Sequence, residues 1–247
     1  DEDAESWSCL WNSKYQGKLL MFDNPRDAFA IAESMLGYSF NTEDEQELKN
    51  CADLLATQSP VLQGYVMDQI FDRMERGEAW AAPYYAGDYL TMVEENPDLG
   101  FSHPKEGFNI FIDAMCIPKG CQNKEGAEAF INFLCRPEIS AANLDYIGYS
   151  TPETAAKDYL DEDVTSSPVS YPDDETLARS ESFAELGVGA TQTMNDLWLS
   201  VKTSTSNTTL YLVLTITAIA AVILFFLISG IIKRRKKARR CRKWRQT

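Results

Sequence analysis

LLMFDNPRDAFAIAESMLG, residues 19–37, decides the fold class. Four consecutive apolar residues, Leu19 to Phe22, stand between Gly17 and Asp23, the pattern of a short strand buried on both faces. Asn24 then fits a helix N-cap, Pro25 the first helical position and Asp27 the third, and Gly37 fits a left-handed stop. A helix is therefore predicted over 25–36. A strand that passes directly into a capped helix is the repeating unit of an α/β fold.

The same alternation continues outward. A second helix is predicted over 43–56, with Leu48, Cys51, Ala52 and Leu55 on one face. VLQGYV (61–66) reads as a weak strand, followed by a helix over 68–76 that stops at Gly77. WAAPYY (80–85) reads as a buried strand in which Pro83 favours an edge or irregular position. A short helix is predicted over 87–95. FNIFIDAMCIP (108–118) is the most strand-like run, because Ile110, Ile112 and Ile117 are β-branched. Helices are predicted over 124–135, 137–146, 152–160 and 174–186, with a last segment over 190–200.

Charge divides the chain. It holds 37 acidic and 23 basic residues, all the acids preceding residue 197 and ten of the bases lying in 233–247. The rest thus sets 13 bases against 37 acids, a net of −24. Such a surface argues against nucleic acid as a partner, since phosphate contacts need positive charge. Between the halves, 208–232 carries no charged residue, and this run exceeds the roughly 20 residues needed to cross a bilayer. A transmembrane helix over 209–232 is predicted, after a polar linker over 201–208. The basic tail 233–247 would face the cytoplasm and the acidic domain 1–200 the outside. Cell membrane location and lipid bilayer contact follow from that reading.

Catalytic signatures are missing. His103 is the sole histidine, and the sequence contains no HExxH, P-loop or GxSxG pattern. The reading is non-enzymatic, with no cofactor and no metal. Cysteines leave the redox question open: Cys116 and Cys121 are spaced to close a small loop, or Cys116 and Cys135 are core residues.

Carboxylates and aromatics instead gather at predicted strand ends. Asp23 and Asn24 follow the first strand with Asp27 one turn on; Tyr84, Tyr85 and Asp88 surround another end; Phe111 and Asp113 lie on 108–118; Tyr146 and Tyr149 flank the IGYSTP turn. Carboxylates bind ammonium groups, and aromatic faces attract cations while packing on methylenes. Ligands of open α/β folds sit at strand C-termini. Each position also has an ordinary alternative, since Asn24 and Asp27 form a capping box by spacing, Phe111 fits a core and Asp88 a helix cap.

LWNSKYQGKLLMFDNPRDAF, WAAPYYAGDYLTMVEENP, FSHPKEGFNIFIDAMCIPKGCQNKEGAEAFINFLCRPE and IGYSTPETAAKDYL occur in that order. Together they resemble the C-terminal part of the spermidine/putrescine-binding proteins of bacterial ABC importers. The resemblance implies a periplasmic-binding-protein-like α/β fold of type II, two lobes closing on a polyamine that is handed to ABC permease subunits. It implies that the N-terminal lobe is largely missing. Residues 10–110 would be most of the second lobe, 112–182 would return into the first, and 183–200 would cross back.

Position by position, the resemblance places Asn24 and Asp27 at two acidic positions that hold an amine end, with Asn24 the weaker for lack of charge. Tyr85 matches an aromatic covering the alkyl chain, Phe111 another wall, Asp113 the carboxylate near the ligand's middle, and Tyr149 a further aromatic contact. Phe183 falls where some members have a polar Gln. Asp23 and Asp88 complete the set. Two alternatives stand beside this one: a truncated fragment that binds nothing, and a membrane-anchored acidic module docking a basic partner.

Overall fold

The computed structural model of the chain describes residues 2–205, 215–217 and 219. Three 3-10 turns, Glu2–Glu5, Trp7–Trp11 and Ser13–Tyr15, lead into β1 (Leu19–Phe22), whose four side chains are all buried. α1 (Pro25–Leu36) follows. The Asn24 side chain accepts from the Arg26 amide, Pro25 opens the helix, and Gly37 ends it at φ 72°, a conformation that a Cβ disfavours. α2 (Glu45–Ala56) is capped by Asp44, which accepts from the Gln46 and Glu47 amides, and it buries Leu48, Cys51, Ala52 and Leu55.

α1 and α2 form the crossover that parallel strands require. They return the chain to β2 (Leu62–Val66), which pairs in parallel with β1 in the register Leu20↔Gly64, Met21↔Tyr65, Phe22↔Val66. Leu19 also bridges in parallel to Ala81. Three segments thus run in one direction and finish at one edge, at Phe22, at Val66 and near Tyr84. α3 (Gln69–Glu75) and α4 (Ala86–Glu95) leave from the second and third of these ends.

β1 is buried on both faces. Met21 and Phe22 join a cluster with Phe29 and Ile31 of α1, Leu48 and Leu55 of α2, and Met194 and Trp198 near the C-terminal end. Leu20 joins a second cluster with Val66, Ile70, Ala79 and Met92. Fully burying one such side chain contributes roughly 1.5–3 kcal/mol, so this single strand holds two helical layers together.

β3 (Phe108–Asn109), α5 (Lys124–Leu134) and α6 (Pro137–Ile147) come next, then a 3-10 turn Thr154–Tyr159, α7 (Glu162–Thr165) and α8 (Asp174–Leu177). β4 (Ser180–Glu181) pairs in parallel with β3, and α9 (Val188–Thr205) completes the described elements apart from the helical residues 215–217 and 219. The described residues up to Val201 form one compact unit.

Several expectations are corrected. The 108–118 run forms only the two residues of β3; Ile112 is 80% exposed, so its β-branched side chains find no sheet to pack on. WAAPYY contributes one bridge at Ala81 rather than a strand. The 174–186 helix stops after Leu177, because the chain turns into β4. The polar linker predicted from residue 201 is helical as far as Thr205. The cysteine question that the sequence leaves open resolves to neither alternative: Cys116 and Cys121 are free, as are Cys9, Cys51 and Cys135, and Cys116 and Cys135 are exposed.

The expected transmembrane helix is corrected as well. Among the described residues no helix is long and apolar enough to cross a membrane. α9 carries Asp196 and Lys202. The stretch 209–232 lies outside the described residues except for 215–217 and 219, and the tail 233–247 lies wholly outside them.

Candidate functional site

The three parallel segments that end together deliver one residue set each. After β1 come Asn24, Arg26 and Asp27; after β2 come Met67 and Asp68; around the start of α4 stand Tyr84, Tyr85 and Asp88. With Asn109, Phe111, Asp113, Tyr149 and Phe183 they line a cavity of about 480 Å³. Asp23 stands outside this lining; its amide donates to the Val66 carbonyl at 2.9 Å and so joins the ends of β1 and β2. Tyr146 is exposed on α6 and does not line the cavity either.

Aromatic rings make the walls. Tyr84 and Tyr85 have centroids 5.0 Å apart, and Phe22 lies beneath both at 5.8 and 5.4 Å. Tyr85 meets Phe111 edge to face at 5.5 Å, and Phe111 meets Tyr149 in the same way at 6.2 Å. Such edge-to-face contacts hold rings at fixed angles and leave π-faces for a cation.

Four carboxylates, from Asp27, Asp68, Asp88 and Asp113, stand in the lining. Asp27 is nearly buried and accepts from the Tyr85 hydroxyl at 3.0 Å. Burial raises its pKa, against which the Tyr85 hydrogen bond and the neighbouring Arg26 charge act. Burial also raises Asp88; a hydrogen bond from Tyr149 opposes the rise and Asp68 adds to it. The phenols respond in turn: Tyr84 is pushed up to about 12 by burial and then by Asp88 and Asp68. Tyr85 and Tyr149 are raised by burial and by Asp27 and Asp88 respectively. All three phenols therefore stay protonated donors at neutral pH.

The opposite end is different in charge. The Arg26 guanidinium donates to the Phe40 carbonyl at 2.7 Å, the Asn41 side chain at 2.8 Å and the Ala184 carbonyl at 3.1 Å. Phe183 lies 4.5 Å from it, ring over cation. Asn24 beside it is committed to capping α1.

Asn24, Asp27, Tyr85, Asp88, Phe111, Asp113, Tyr149 and Phe183 are thus neighbours around one cavity. Asp68, Asn109 and Arg26 were not singled out from the sequence. Asp68 lies two residues after a predicted strand, at the start of a predicted helix, where an acidic residue reads as ordinary helix-terminus chemistry. Asn109 and Arg26 had no signal. The arrangement can neutralise and desolvate an extended cation, and among the described residues no cluster of His, Cys, Asp and Glu is placed to hold a metal.

The chain is similar to known proteins. The Spermidine/putrescine-binding periplasmic protein of Escherichia coli K12 is 32% identical over 189 residues, 76% of this chain and 54% of that protein. The Putrescine-binding periplasmic protein SpuD of Pseudomonas aeruginosa UCBPP-PA14 is 28% identical, over 81% of this chain and 57% of that one. The chain therefore spans about half the length of these relatives. The crystal structure of the spermidine/putrescine ABC transporter substrate-binding protein PotD of Streptococcus pneumoniae superposes with a TM-score of 0.74 at 33% identity, covering 82% of this chain and 62% of that one.

That superposition gives a type II periplasmic-binding-protein-like α/β fold. The superposition, which covers 62% of the matched structure, supports that fold and gives no evidence for the expected largely missing N-terminal lobe, so that expectation is withdrawn. The expected single-pass location in the cell membrane with a cytoplasmic tail is corrected to an extracytoplasmic one, which the family's description as extracellular supports; among the described residues no helix can span a membrane, and contact with the bilayer is not shown. Residues 3–178, more than two-thirds of the sequence, match one family along their length, and the chain belongs to the bacterial extracellular solute-binding proteins.

Proposed function

We propose that the chain captures polyamines, spermidine or putrescine, outside the cytoplasm and delivers them to the permease subunits of an ABC importer. The observation that carries this reading is the cavity lined by four carboxylates and a fixed aromatic wall. Polyamines are flexible cations, so their recognition needs separated anionic anchors joined by apolar surface. Asp27 and Asp113 serve as anchors, with Asn24 as a hydrogen-bonding neighbour. Tyr85, Phe111 and Tyr149 pack on the methylenes, and Phe183 closes one end. The names of the E. coli and Pseudomonas relatives support the choice of ligand. Residues 10–110 form the ligand-side lobe, 112–182 return into the other, and 183–200 cross back.

No proton transfer is involved. The carboxylates stay ionised opposite ammonium groups because the partner charge offsets their desolvation. The acidic surface adds a long-range attraction that salt screens. Equilibrium dialysis of labelled putrescine and spermidine against the full chain tests the reading. Saturation at one ligand per chain in physiological salt is expected; uptake that never saturates and vanishes with salt would refute it.

A further inference from the structure

We propose that Asp68 is a further ammonium-binding residue of this cavity, and that with Asp88 it forms a doubly anionic end which selects a diamine over a longer triamine. The inference rests on the polyamine reading above and sharpens it.

Asp68 occupies the N-cap position of α3 but makes no capping hydrogen bond. Asp is among the preferred N-caps because its carboxylate normally accepts a free helix amide. Here that carboxylate lines the cavity instead. Asp88 lines the same cavity; the Asp68 charge raises its pKa, and both carboxylates raise the Tyr84 phenol. Tyr149 touches the same end and also senses Asp113. Asp68 and Asp88 thus act on Tyr84, and Asp88 and Asp113 on Tyr149, whereas Asp27 acts on Tyr85.

Across the cavity the balance is neutral. Asp27 faces the fixed charge of Arg26, and Asn24 supplies an amide where a carboxylate would add a second negative charge. Three hydrogen bonds and the Phe183 ring hold Arg26 in place, so it cannot swing away from an incoming cation. An ammonium group brought to this end meets a carboxylate whose charge Arg26 partly offsets, so Asp27 is a weaker anchor than the Asp68–Asp88 end. A diamine can settle both its charges among Asp68, Asp88 and Asp113. A triamine must place its third against Arg26.

The test compares putrescine and spermidine binding, by calorimetry in physiological salt, to the full chain and to its Asp68→Asn and Asp53→Asn variants. Asp53 is exposed on α2, so its substitution removes the same charge without touching the cavity. Circular dichroism verifies that both variants are folded. Putrescine should bind the parent chain more tightly than spermidine. Asp68→Asn should weaken putrescine roughly tenfold or more, the loss expected for one charge-assisted hydrogen bond, and Asp53→Asn should leave it within about twofold. Equal effects of the two substitutions, or tighter spermidine binding by the parent chain, would overturn the inference while leaving the polyamine reading intact. If the parent chain binds neither amine, the polyamine reading itself falls and the inference with it.

Discussion

The ring of Tyr149 lies directly on the bare backbone of Gly87: a Cβ built there would stand 2.1 Å from Tyr149 Cδ2. Gly148 adopts φ 75°, and a Cβ on it would meet the Gly87 carbonyl oxygen at 2.9 Å. Two glycines from distant parts of the chain therefore let the turn after α6 rest on the first turn of α4. That contact brings Tyr149 to Asp88 and makes it part of the cavity wall.

Gly87→Ala should expel the Tyr149 ring, because the clash involves ring carbons and the turn behind them is pinned by Gly148. Loss of one aromatic face from a cation site is worth about 1–2 kcal/mol, so polyamine affinity should fall roughly tenfold. Titration calorimetry reads the loss, and thermal unfolding verifies that the variant is folded. An unchanged affinity would mean that Tyr149 does not touch the ligand.

The contact between Tyr85 and Asp27 makes binding depend on pH. Burial raises the Asp27 pKa and the Tyr85 hydroxyl, 3.0 Å away, opposes the rise. A cation needs the ionised carboxylate, so affinity should decline as pH falls through the raised Asp27 pKa. Tyr85→Phe removes the opposing hydrogen bond, lifts that pKa further, and should move the decline to higher pH. Affinity measured across the acid range in both proteins tests the direction of the shift.

Asn24→Asp exchanges one good N-cap for another, so α1 should keep its stability. It adds a carboxylate beside Arg26 at the neutral end of the cavity. Spermidine affinity should rise roughly tenfold relative to putrescine, in line with one added ammonium–carboxylate hydrogen bond. Competition between the two amines measures the ratio.

Glu33 has a different consequence. Its side chain is fully buried in α1 and both carboxyl oxygens lack a hydrogen-bond partner. Burial pushes its pKa up from 4.5 to about 8. The folded state keeps a proton there that the unfolded chain loses above its lower pKa, so stability should fall as pH rises between these two values. Glu33→Gln should flatten that slope and stabilise the protein at the upper limit by a few kcal/mol, on the order given by linkage. Denaturant unfolding at both ends of the range measures it.

The parts of the fold that could be read in the sequence are those whose signals are local. Asn24, Pro25 and Gly37 bound α1 by capping chemistry that needs no distant partner. β1 was legible because four apolar residues in a row have few alternatives. The Ile-rich run at 108–118 misled because strand preference is realised only against a neighbouring strand, and here only Phe108 and Asn109 find one, in β4. Most of the cavity residues were recognisable by position at strand ends and by resemblance. Asp68 was hidden because an acidic residue at the start of a predicted helix reads as ordinary helix-terminus chemistry, and only the three-dimensional arrangement reveals that it makes no capping hydrogen bond. Arg26 was hidden for a related reason, since its role depends on the Phe40, Asn41 and Ala184 acceptors, two of which lie on a neighbouring loop and one far along the chain.

The central claim, that a formed cavity rather than a diffuse acidic surface binds the polyamine, is tested most directly through Asp113. Spermidine and putrescine should be titrated calorimetrically into the full chain and its Asp113→Ala variant in physiological salt. The account predicts saturable one-site heat in the parent chain that is lost, or weakened at least about tenfold, in the variant. Weak heat that salt abolishes and the substitution leaves unchanged would contradict it.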